Sequence, residues 1–184
     1  MSEPPAMESL KRFFDRLVRR SLSDLWLASE PVADYLAGLL ARFARTDQLY
    51  AARARTGERL ESVVAMMLEA ERAWAFDEPD FDPFRECLIR RHIGDYTLFM
   101  IGIFREHVER RASMGLYVRE GKRAYRVVAE FERSAMKPDA RLFAALSTEF
   151  EGYADALGYM KRVYLRPSDS PPTLGPMLRL LTEW

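Results

Sequence analysis

Apolar residues recur along this chain at spacings of three and four, the repeat of an α-helix with one buried face, and no convincing stretch alternates with the period of two that a strand requires. The clearest stripe is Leu142, Leu146, Phe150, Tyr153, Leu157, Met160 and Tyr164, which predicts a helix over about 139–165. Near the start, Leu10, Phe13, Phe14, Leu17 and Val18 make one apolar face, with Lys11, Arg12, Arg16, Arg19 and Arg20 mostly opposite. Tyr35, Leu36, Leu39, Leu40 and Phe43 mark the next helix. Ser29 reads as its N-cap and Pro31 suits its first turn, where a missing N–H costs nothing.

Residues 46–57 are rich in Ala and Arg and read as a helical connection broken at Gly57. A helix is expected over 58–75, with Leu60, Val63, Val64, Met67 and Trp74 facing inward, then an acidic loop over 77–82. Asp82 and Pro83 supply a cap and a first turn for a long helix over 83–111. Its middle, 96–104, is apolar almost all round apart from Thr97 and Gly102, so it should be surrounded by other helices. Gly94 and Gly102 each cost about 1 kcal/mol there relative to Ala, which fits positions where a neighbour comes close. A further helix spans about 116–136, and Pro138 follows it. The expected fold is therefore all-α, a single-domain bundle of five to seven helices around the central apolar helix at 83–111. The bundle occupies 1–165, a Pro-rich linker 166–172, and a short amphipathic segment 173–184.

Composition supports one domain. The 184 residues are 48% apolar and 12% aromatic, enough for a core without disulfides or metal. Basic and acidic residues balance at 28 each, which argues against a nucleic-acid binder, since that affinity rests on excess positive charge. Four of the 28 basic residues are Lys, leaving 24 Arg. Arg of this kind serves as ordinary surface charge, or recognises carboxylates and anions through its planar fork. The single cysteine, Cys87, cannot form a disulfide within the chain, which fits a reducing compartment. It reads as a packed side chain, because His92 lies five positions on and points to another face. Glu3, Glu8 and Asp15 interrupt any signal-peptide pattern, and the apolar run 98–104 is too short for a bilayer, so a cytoplasmic location without membrane contact is expected.

The chemistry-bearing residues gather in three places. Along one stripe of the long helix lie His92, Asp95 and Phe99, with Tyr96 beside them. If the preceding helix packs antiparallel, its Glu71 could approach His92 or Arg91. These residues would make either a ligand or cofactor pocket in which Asp95 orients an imidazole base, or a satisfied polar network that fixes helix register. The second place is the basic run 105–126, where Arg119, Lys122, Arg123 and Arg126 form a candidate anion-binding face, while 69–86 is acidic. The third is the C-terminal segment, where Leu178, Leu181 and Trp184 could pack at home or anchor a partner.

Several classes are set aside. A di-iron site needs Glu-x-x-His pairs, and none exists. The two histidines, His92 and His107, would lie roughly 22 Å apart on one helix, too far to share a metal. No covalent haem motif, calcium loop, phosphate-binding glycine loop, nucleophile elbow or zinc spacing is present. No metal and no cofactor is expected. The residues point to a non-enzymatic helical module that binds protein, itself as a homodimer or another chain, using the N-terminal helix, the C-terminal segment or both. The alternative is a bundle holding a small ligand or cofactor beside His92 and Asp95, with enzymatic activity conceivable there.

Overall fold

The computed structural model describes residues 5–49, 51–75 and 81–165. Helices run α1 Pro5–Asp24, α2 Glu30–Phe43, α3 Thr46–Leu49, α4 Val63–Trp74, α5 Pro83–Ile103, α6 Arg105–Arg111, α7 Met114–Ser134, α8 Ala140–Thr148 and α9 Phe150–Val163. Among the described residues there is no strand, only an isolated antiparallel bridge between Arg53 and Arg59. The protein is all-α. No helix among these residues is long and apolar enough to cross a membrane.

The described residues fall into two compact units. The first takes 5–49, 99–113 and 151–165, and the second takes 51–75, 81–98 and 114–150. In the first, the four-residue spacing of Leu10, Phe14, Val18 and Leu22 puts one stripe of α1 against α2, and all four are buried. The apolar face of the N-terminal helix is thus covered within its own unit. Lys11 pairs with Asp34 at 2.9 Å, and Arg19 joins Asp15 and Glu30 across the turn. Gly102 lets α5 and α9 approach closely, because a Cβ there would sit 2.7 Å from that of Leu157.

In the second unit α7 packs on α8, and Tyr125, Phe143 and Phe150 are fully buried together, with ring centroids 6.0 and 6.1 Å apart. Gly94 is the matching close approach here, since a Cβ would lie 2.6 Å from the Tyr125 ring.

Start signals fall where local chemistry puts them. Ser29 is the N-cap of α2 with Pro31 in the first turn, although its hydroxyl makes no capping bond. Asp82 caps α5 by accepting from the Arg85 N–H at 3.0 Å. Four expectations need correction. Residues 51–60 are not helical: they form a turn in which Ala54 N–H donates to Glu58 O and Gly57 takes φ +89°. The helix expected from 58 starts only at Val63, where the Ser62 hydroxyl accepts from Ala65 N–H. The long helix breaks at Phe104 (φ −120°, ψ 38°), where Lys161 Nζ donates to the Ile103 carbonyl at 2.7 Å, so His92 and His107 sit on different helices. The 139–165 helix likewise breaks at Glu149 (φ −99°, ψ 26°).

The inner face of α4 is also rotated from expectation. Val63, Met66, Glu69, Ala70 and Ala73 are buried, whereas Val64 and Trp74 are exposed. At 100° per residue, burial of Glu69 turns Glu71 to the opposite side.

Candidate functional site

Asp95, on the buried stretch of α5, accepts a hydrogen bond from the Tyr125 hydroxyl of α7 at 2.8 Å, and both side chains are nearly solvent-free. One turn away, the half-buried His92 ring lies tilted over Tyr96 at 6.5 Å, and Tyr96 lies over Tyr117 at 6.3 Å. His92 is engaged by its neighbours, while its Nε2 atom is buried and takes no hydrogen bond among the described residues. Burial pushes the Tyr117 hydroxyl above its ordinary pKa, against the opposing hydrogen bond from Tyr96. So the second unit does bring His92, Asp95 and Tyr96 together, with Tyr117 and Tyr125 as partners. Phe99 belongs to the first unit, where its ring meets Phe43 and Phe104 edge-on at 5.2 and 5.6 Å. Glu71 is exposed. The arrangement can hold helix register through a buried acceptor that is paired, and it places one imidazole beside the Tyr96 phenol.

On α7, Arg119, Arg123 and Arg126 are exposed and Lys122 is half-buried. Arg119 donates to the buried Glu120 at 3.0 Å, and Arg123 stands 3.8 Å from the other oxygen of the same carboxylate. Two of the four candidate cations are therefore partly neutralised by an acid between them.

A second polar cluster escaped the sequence. Glu69, 6% exposed, accepts from Arg85 Nη2 at 2.6 Å and from the Arg55 backbone N–H at 2.8 Å. Arg85 Nη2 also donates to the Arg53 carbonyl at 2.8 Å, so one carboxylate and one guanidinium pin the 51–60 turn onto α4 and α5. Desolvation works to raise the pKa of Glu69, but the Arg85 and Arg55 hydrogen bonds and the Arg85 and Arg72 charges outweigh it and hold it below 4.5. Beside this pair is a cleft of about 290 Å³ lined by Arg55, Thr56, Glu58, Glu69, Arg72 and Arg85. The signal was in the sequence, as arginines flanking a Gly turn, but only the buried register of Glu69 connects them.

Burial raises the pKa of the Cys87 thiol, with the Glu132 charge acting the same way, so the sulfur is held protonated and away from thiolate chemistry. Among the described residues no cluster of three or more His, Cys, Asp or Glu is placed to hold a metal.

Large apolar side chains are left in solvent. Phe84 and Leu88, one turn apart on α5, are 70% and 69% exposed, and Val64 and Leu68 repeat the pattern on α4. Trp74 rests against Phe81, and Phe84 against Phe131. Two others stand at helix ends. Trp26 (φ 60°) and Met136 (φ 53°) each occupy the left-handed position of a Schellman cap, whose paired bonds are Leu27 N–H to Leu22 O and Lys137 N–H to Glu132 O. Glycine is usual there, yet these side chains are 94% and 92% exposed. Leu178, Leu181 and Trp184, with the linker and segment over 166–184, lie outside the described residues. Comparison with known protein families, curated proteins and solved structures gives no match to this chain.

Proposed function

We propose that this chain is a non-enzymatic helical module that works by binding protein, with a second copy of itself as the partner. The observation that carries the proposal is the outward placement of Phe84 and Leu88 on α5, repeated by Val64 and Leu68 on α4. Helix faces of this kind are the material of interfaces, where large apolar side chains lose water on contact. Trp26 and Met136 support it in a second way, since each holds a left-handed backbone that favours glycine while its side chain is almost fully exposed. A second copy fits because the acidic 69–86 and basic 105–126 stretches give one chain both signs of a complementary pair. The C-terminal segment with Leu178, Leu181 and Trp184 belongs to the same proposal as a further anchor. So does a central place for the apolar stretch of α5, which the burial of every residue from Ile93 to Phe104 supports.

The test is light scattering coupled to size exclusion, on the full chain and on a Phe84→Asp/Leu88→Asp variant. Both positions are exposed, so the variant keeps its helical signal. The wild type is expected as a dimer and the variant as a monomer. A wild type that stays monomeric at every concentration removes the homodimer, and a variant that stays dimeric removes this face.

The second reading, a small ligand or cofactor beside His92 and Asp95, is favoured by one observation: the rings of His92, Tyr96 and Tyr117 follow one another at 6.5 and 6.3 Å, each tilted to the next, within the second unit. It calls for a bound molecule that is lost in His92→Ala with the fold intact.

A further inference from the structure

We propose that the cleft between the 51–60 turn, α4 and the start of α5 binds a small oxyanion, a phosphate or a carboxylate, between Arg72 and Arg85. The floor is already organised. Arg85 is fixed by Nη2 alone, which donates to both Glu69 and the Arg53 carbonyl, so the guanidinium is oriented before any ligand arrives and its Nε and Nη1 groups are not used in those contacts. Fixing a recognition group in advance removes part of the ordering cost of binding. Glu69, for its part, is satisfied by Arg85 and by the Arg55 N–H, both within hydrogen-bond distance.

Arg72 is surplus to that arrangement. It stands 4.0 Å from the second Glu69 oxygen, beyond hydrogen-bond reach, and three-quarters of its side chain is exposed. If the cluster served only to neutralise Glu69, Arg85 would suffice. Among the described residues the lining instead carries three guanidinium groups, Arg55, Arg72 and Arg85, against two carboxylates, Glu58 and Glu69. That balance disfavours a cation and favours an anion. Guanidinium forks match the paired oxygens of phosphate and carboxylate, which makes this chemistry the natural occupant. The volume of about 290 Å³ is at the lower end of the roughly 300–1,000 Å³ of ligand pockets, so the occupant is a compact anion rather than a dinucleotide.

The experiment is isothermal calorimetry on the full chain at constant ionic strength, with inorganic phosphate in one arm and citrate in the other. The variants are Arg72→Gln, and Arg126→Gln as an exposed arginine of α7 outside the cleft lining. Saturable binding of at least one anion is expected, weakened about tenfold or more by Arg72→Gln through loss of a charge-assisted hydrogen bond, and unchanged by Arg126→Gln. Binding of phosphate alone assigns a phosphoryl ligand, and binding of citrate alone a carboxylate; either upholds the site. No saturable binding in either arm overturns it, and so does an equal loss in both variants, which would mean diffuse surface charge.

Discussion

Glu69→Gln isolates the charge at the point where the second unit pins its irregular turn. Glutamine keeps the volume and one acceptor oxygen, so the Arg55 N–H keeps a partner, while the Arg85 guanidinium donates to a neutral oxygen and loses its counter-charge. Hydrogen bonds to charged groups contribute about 1.5–3 kcal/mol and neutral ones about 0.5–1.5 kcal/mol. The difference, about 1–1.5 kcal/mol before it is reduced because Arg85 is 28% exposed and can rehydrate, predicts a loss of about 1 kcal/mol at neutral pH. The sign with pH follows from the direction of the shift. The folded pKa of Glu69 lies below 4.5, so its stabilisation is complete above 4.5 and is lost as pH falls through the folded value. Urea unfolding followed by circular dichroism, for wild type and variant across that range, should show a gap that is constant above 4.5 and closes below it. Glu71→Gln, on the exposed side of α4, should unfold within about 0.5 kcal/mol of wild type. If Glu71→Gln is the costly substitution and Glu69→Gln is neutral, the register of α4 given above is wrong. If both gaps ignore pH, the Glu69–Arg85 pair does not stabilise the fold.

Three further outcomes follow. Tyr125→Phe removes the hydroxyl that donates to the buried Asp95 carboxylate and should cost about 1–3 kcal/mol in the same urea assay, and a cost near zero would show that Asp95 does not depend on Tyr125. Trp26→Gly should raise stability by about 1 kcal/mol, by relieving a left-handed residue that is fully exposed; a lower thermal midpoint would mean the indole packs on something. Cys87 should resist a thiol reagent in the native protein at neutral pH and react at once in urea, and rapid native labelling would contradict its burial.

The helical class and the starts of α2 and α5 were legible because their signals are local. Ser29 with Pro31, and Asp82 with Pro83, act within one turn of their own positions. The breaks were not legible. Ile103 gives up its carbonyl to Lys161, 58 residues on, and no pattern near Phe104 records that. The face of α4 was misjudged for a different reason. Periodicity takes apolar residues as inward, but Val64, Leu68 and Trp74 face out, and a carboxylate, Glu69, faces in because Arg85 meets it sixteen positions later. At the candidate site, Asp95 and Tyr96 could be placed from the apolar run around them, whereas the Tyr125 partner and the separation of Phe99 into the other unit depend on tertiary packing. The arginine cleft needed both the turn at Gly57 and the α4 register, and the sequence offered only the break at Gly57.

The central claim, that this chain works by binding a second copy through outward apolar faces, is tested most directly by native mass spectrometry of the untagged full chain under gentle conditions. The account predicts a species of twice the chain mass that carries no other molecule and collapses to a single chain in Phe84→Asp/Leu88→Asp. A single chain that retains a small molecule, lost in His92→Ala, would contradict it and make α5 a ligand site.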